Sequence, residues 1–190
     1  VLLDYAVNGR EQTRMGNRDI GAAPHGVYPC AGDDRWMALS CFTDDQWEGL
    51  QRTIAPDGNS WPYNSKFTTL LGRKSNEDEL DELLSNWTCS WEPGALMETL
   101  QSSGVPAGMV NDCRDLFDDA QLQHREHFQW LDHPEIGPYA TDRSEMNFSL
   151  SPGSLDIPAP LLGEHTSHVL KDLIGLTDEE YESLENDGVL

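Results

Sequence analysis

Apolar residues along this chain recur at helical spacing in some stretches and alternate in others, dividing it into short helices and shorter strands. "VLLDYAVNGR" predicts a helix already under way at the first residue, running into a polar, arginine-bearing linker, "GREQTRMGNRDIG". In "HGVYPCAGDDRWMALSC" two strand-like runs flank Gly-Asp-Asp, a hairpin signal, because those residues accept the backbone angles of a tight turn. Thr43 and Gln46 form a Thr-x-x-Gln capping box ahead of "DQWEGLQRTI", where Trp47, Leu50 and Ile54 share a face. Residues 55–66 read as loop and residues 67–72 as the start of another helix. "SNEDELDELLSNW" is a helix with Ser75 as its expected N-cap, acids in the first turn, and a stripe of Leu80, Leu83, Leu84 and Trp87.

The second half continues the mixture. "EPGALMETLQSSG" has Pro93 near its start and Gly104 just past its end, the usual punctuation of a helix. "VPAGMVN" reads as a short strand or an extended link, and "DCRDLFDDAQLQHREHF" as a helix with acidic first turns. "QWLDHPEIGPYAT" and "MNFSLS" read as strands. A proline-rich loop over 152–160 leads to a helix starting near Gly163, and Thr177 with Glu180 boxes the start of a last helix. The expectation is an α/β protein of mixed α and β elements with about six helices.

Charge alters this picture most. The 34 acidic residues outweigh 12 basic ones, giving a net charge of −22. Nucleic-acid and anionic-membrane partners are not expected, since both need clustered Lys and Arg. Only Lys66, Lys74 and Lys171 are lysines. An acidic, lysine-poor surface suits a cytoplasm rich in salt, where counterions screen self-repulsion. Equally, the basic surface could lie on a part of the protein outside this chain. A mean hydropathy of −0.57 suits a soluble protein. No run approaches the roughly 18 apolar residues of a membrane span, and no secretion signal precedes the first helix, so the expected location is cytoplasmic. The missing initiator methionine and the helix under way at residue 1 give the appearance of a fragment or cleaved product.

The candidate chemistry is sparse. Cys30, Cys41, Cys89 and Cys113 lack a Cys-x-x-Cys pair and read as structural thiols, with a disulfide or zinc role as the alternatives. In "PAPLLGEHTSHVL", His165 and His168 stand three apart with Glu164 before them, whereas a zincin needs histidines four apart with the Glu between. His124 and His127 form a similar pair. Neither has an evident third ligand, so no metal is expected, and Glu164 suffices as a first-turn acid. Asp33/Asp34 and Asp44/Asp45 read as turn and first-turn acids. Phosphate loops, nucleophile elbows and Cys–His spacings are lacking. The stretch "GAAPHGVYPC" is more suggestive: Gly21, Ala22, Ala23 and Gly26 around Pro24 and His25 would let backbone approach a ligand and offer N–H groups to an oxyanion. As a junction into a strand it needs no ligand. Trp36, Trp47 and Trp61, close in sequence, fit a buried interface or ordinary core packing.

The order of "LLDYAVNGR", "GNRD", "APHGVYPCAGDDRWMAL", "DELDELLSNWT", "LQSSGVPAGMVND", "DHPEIGP", "PAPLLGEHTSHVL" and "LIGLTDEEYESLENDGVL" resembles the C-terminal half of a family III CoA-transferase. This is the CaiB/BaiF group, which includes formyl-CoA transferase and α-methylacyl-CoA racemase. The resemblance implies residues 1–24 as linker from a large domain, 25–123 as a small α+β domain, and 124–190 as a C-terminal segment completing the Rossmann-like large domain. Two chains would interlock as a homodimer, each with its own N-terminal half.

It also implies CoA transfer from an acyl-CoA thioester to a carboxylic acid through an aspartyl anhydride and an enzyme–CoA thioester, with CoA a substrate and no other cofactor. No aspartate here matches the family nucleophile, so that residue is expected upstream and the chain alone is expected to be inactive. The family's glycine-rich active-site loop falls on residues 21–26, with alanines and a proline replacing glycines. Glu164 and His165 would stand near the chemistry. The racemases carry a small-domain glutamate where Thr43 stands, and a threonine cannot do that proton work. Transfer is therefore favoured over a racemase-type isomerisation, and a non-catalytic acidic interaction domain stands as a further alternative.

Overall fold

In a computed structural model, which describes residues 2–146 and 148–190, the chain divides into two units, Val1–Asn111 and Asp112–Leu190.

The first unit opens with α1 (Leu2–Asn8), none of whose residues is buried. Its sheet is antiparallel, in the order β1 (His25–Pro29), β2 (Trp36–Ser40), β3 (Ala107–Val110). The turn between β1 and β2 takes positive φ at Gly32 and Asp34, as Gly-Asp-Asp predicts. Register places Tyr28 opposite Met37 and Met37 opposite Met109, while Val27 faces Ala38 and Ala38 faces Gly108. Side chains alternate across a strand, so the first set points inward and the second outward.

Behind the inner face lie α2 (Asp44–Ile54), α3 (Leu70–Ser75), α4 (Glu77–Thr88) and α5 (Pro93–Ser102). The box before α2 forms in full: Thr43 accepts from the Gln46 N–H, and the Gln46 side chain answers the Thr43 N–H. Trp47, Leu50 and Ile54 of α2 join Leu80, Leu84 and Trp87 of α4, Leu96 and Leu100 of α5, and Phe67 in one buried core. Each large apolar side chain sealed there contributes about 1.5–3 kcal/mol. Gly49 lets α2 approach the exit of α5 closely, because a Cβ there would stand 2.3 Å from the Ser103 carbonyl oxygen.

Three local expectations shift. Ser75 closes α3 instead of capping α4, because the Asn76 N–H bonds back to the Gly72 and Arg73 carbonyls before α4 begins. Residues 55–66 are mostly single 3-10 turns, each tied by a local backbone bond. The stretch after Asn111 is broken into α6 (Cys113–Asp118) and α7 (Ala120–His124). There the Asp119 carboxylate accepts from the Gln121 and Leu122 N–H groups and restarts the helix.

The second unit continues with a hairpin, β4 (Phe128–His133) and β5 (Gly137–Asp142), and ends with α8 (Asp178–Asn186) behind its predicted Thr177/Glu180 box. "MNFSLS" forms no strand among its described residues, and Asn147 within it lies outside them. The helix expected from Gly163 begins as turns and widens into π-helical geometry over His168–Leu173. Phe117 stacks on Phe128 with centroids 4.2 Å apart, and Lys171 bonds Asp178 while lying over Tyr181. Among the described residues, however, the buried apolar side chains all fall between Ala22 and Val105, and this unit contains none. Leu150, Leu162 and Leu173 stand 98%, 106% and 70% exposed.

Candidate functional site

A groove of about 600 Å³ crosses the outer face of the three-stranded sheet. Small residues line its floor: Ala38 and Gly108 belong to the outward set, while Gly26 contributes only backbone, since a Cβ there would meet the Tyr28 ring on the inner side. Pro106 and residues 16–18 of the linker, a strap beside the sheet, also line it.

The strap is held by charge. Arg18 Nη2 donates to Asp78 Oδ1 at 2.6 Å and to Asp81 Oδ2 at 2.8 Å, and its Nε lies 3.7 Å from Glu77. These bonds to Asp78 and Asp81 hold the guanidinium far above its ordinary pKa. Lys74 Nζ donates to the Asp19 carbonyl at 2.7 Å and to both Glu77 oxygens at 2.8 Å. From beneath, the Tyr28 hydroxyl donates to Asp81 Oδ1 at 2.8 Å; burial first, and then the Asp81 charge, push its phenol pKa far up. Arg18 thus faces three carboxylates, and the groove does not present it as an uncompensated cation.

Residues 21–26 are split in their placement. The Gly21 N–H donates to Asp19 Oδ1 at 2.7 Å. Ala22 and Ala23 are fully buried, and the Ala23 N–H donates to the Cys41 carbonyl at 3.2 Å. The Ala23–Pro24 peptide is cis, and the Pro24 carbonyl accepts from Cys41 at 2.8 Å. His25 and Gly26 line the groove. The His25 ring meets Phe42 edge-on at 5.7 Å, and its Nδ1 bonds the Asn17 carbonyl. A carbonyl can only accept, so Nδ1 is the donor in this bond.

Local sequence signals did not reveal Arg73. Only 1% exposed, it donates from Nε to the Ala23 carbonyl at 2.7 Å and from Nη1 to the Phe67 carbonyl at 3.2 Å, and lies over Trp47. Its partners come from separate elements, so no spacing rule could find it.

Within the second unit, Glu164 Oε2 accepts from the Leu161 N–H at 2.7 Å, closing a turn, and His165 is exposed beside it. Both line a mainly apolar groove of about 420 Å³ with Leu170 and Leu190. His168 bonds Asp172 at 2.8 Å instead of joining His165. His127 lies 3.8 Å from Asp142, and His124 ends α7. Among the described residues, no three His, Cys, Asp or Glu side chains gather as a metal site. No described helix is long and apolar enough to cross a membrane.

This architecture is that of a CaiB/BaiF-type protein. A crystal structure of a CaiB/BaiF family protein from Brucella suis matches with a TM-score of 0.72 and 28% identity, over 90% of this chain and 43% of that one. The model of CoA-transferase family III matches residues 1–166, and the chain belongs to that family. A probable CoA-transferase of Mycobacterium tuberculosis is 34% identical over 87% of this chain and 21% of its own length. The succinyl-CoA–D-citramalate CoA-transferase of Chloroflexus aurantiacus is 27% identical over 97% of this chain and 45% of its own length. The chain thus spans less than half the length of these relatives.

Proposed function

We propose that this chain supplies the small domain (25–123), the linker before it (1–24) and a large-domain segment (124–190) of an enzyme that moves CoA from an acyl-CoA thioester to a carboxylic acid. The observation that carries the reading is the family match over residues 1–166. The coreless second unit supports it, since its exposed leucines need a further surface to cover them. That surface is the N-terminal half of the same protein, and the assembly is a cytoplasmic homodimer of interlocked chains.

The nucleophile in this reading is an aspartate outside the chain. Its carboxylate attacks the thioester carbonyl, the C–S bond breaks, and CoA leaves as thiolate from a mixed anhydride. The thiolate attacks the aspartyl carbonyl, expelling the first acid as carboxylate and leaving an enzyme–CoA thioester. The acceptor carboxylate repeats the exchange and carries CoA away, without net oxidation or reduction. CoA is a substrate, and no further cofactor enters. Residues 21–26 serve the substrate through His25 and Gly26, the two that line the groove, while Glu164 and His165 lie near the reacting centre. Thr43 is occupied as a helix cap, which favours transfer over proton abstraction.

The test is acyl-CoA turnover in deuterated buffer by this chain alone and refolded with its N-terminal half. Transfer of CoA to an added carboxylic acid only in the complemented sample is expected. Deuterium entering the α-carbon without transfer would replace this reading with the racemase; a stable, inert monomer in both samples would favour a binding domain.

A further inference from the structure

Away from the sheet's outer face, the first unit carries a second depression that the transferase reading leaves unused. Trp61, Trp87 and Trp91 line a groove of about 420 Å³ together with Asp57, Asn59 and Asn86. The rings do not lie flat. Trp87 and Trp91 meet at 61° with centroids 5.8 Å apart, and Trp61 stands edge-on to Phe67 at 85°. Trp87 is almost wholly buried and offers the groove little surface, while Trp61 and Trp91 are half-exposed. Asp57 is fixed in place, because Trp87 Nε1 donates to its Oδ2 at 2.7 Å. Among the described residues, no lysine or arginine lines the groove.

We propose that this aromatic corner binds a small organic ammonium ion, with the quaternary or multiply methylated head seated against the tryptophans. Ring faces carry the negative end of the aromatic quadrupole, and Trp is the strongest cation–π partner. Rings inclined to one another wrap a rounded head better than a flat sugar, which stacks on a single open face. Asp57 adds a full negative charge, and the net charge of −22 draws cations toward the surface. The proposal is independent of the transferase reading and needs only the first unit, which has its own core.

The test is a titration of the whole chain with tetramethylammonium chloride against sodium chloride at matched ionic strength, following the indole N–H signals by NMR. Saturable shifts at Trp61 and Trp91 are expected, with Trp36 unmoved on the sheet's outer face. Trp61→Leu should weaken the apparent Kd about threefold to thirtyfold, the span of one cation–π contact. Should that variant unfold, Asp57→Asn serves instead: it keeps an oxygen for Trp87, removes the charge, and should also weaken binding. The uncharged analogue with carbon in place of nitrogen should not bind. Equal binding of that analogue, saturation by glucose but not by the ammonium ion, or no saturable shift at these indoles would each overturn the proposal.

Discussion

Arg73 Nε donates to the Ala23 carbonyl at 2.7 Å, joining positions 50 residues apart and fixing the chain just before β1. The same guanidinium serves Phe67 and stacks on Trp47, so one buried cation sets where the groove-lining His25 begins. Its ion pair with Asp44, at 3.2 Å, adds little, because that carboxylate is 75% exposed.

Replacing Arg73 with Met should leave two buried carbonyls without donors and destabilise the first unit by about 2–4 kcal/mol. Urea unfolding with an unchanged slope would measure this, and Arg73→Lys should recover only part of it. An unchanged midpoint for Arg73→Met would refute the positioning role.

Gly49→Ala drives a Cβ against the Ser103 carbonyl, where it would stand at 2.3 Å. Backbone cannot yield there without parting α2 from α5, so a loss of about 1–3 kcal/mol is expected. Thermal unfolding followed by circular dichroism would register it; Gly108→Ala, with open space around it, is the control.

Leu80→Ala in the sealed core should cost about 2–5 kcal/mol. Leu173→Ala, on a side chain 70% exposed, should stay within about 0.5 kcal/mol in this chain. Refolding with the N-terminal half should make the second substitution costly; if it stays neutral there, Leu173 is not covered in the assembly.

Burial raises the Cys41 thiol from 9.0 to about 12. A raised folded-state pKa means that stability is intact below pH 9. It then falls as pH rises toward 12, because the unfolded chain ionises first. The loss is on the order of a few kcal/mol. Urea midpoints between pH 8 and 11 should therefore decline (window set by these pKa values). At pH 8 a thiol reagent should modify the exposed Cys89 and Cys113 well before Cys41.

With 34 acids against 12 bases, self-repulsion outweighs the ion pairs that salt also weakens. The unfolding midpoint should rise between low and molar potassium chloride. A flat or falling midpoint would count against adaptation to salt.

Much of this molecule follows from local chemistry. Thr43 with Gln46 and Thr177 with Glu180 make their boxes because a cap needs only its own first turn. Leu80, Leu84 and Trp87 share a buried face because a helix has one period. Gly-Asp-Asp turns the hairpin because its backbone tolerates positive φ. Collinear segments also carried the family likeness. Local rules failed where two local options competed, as when Asp119 capped a new helix inside a run that reads as one. The tertiary structure alone decided that Arg73 would hold Ala23, that Arg18 would tie the strap to Asp81, 63 residues away, and that Trp61 would share a groove with Trp91. Those contacts depend on burial and charge meeting across the fold, and no spacing along the chain encodes them.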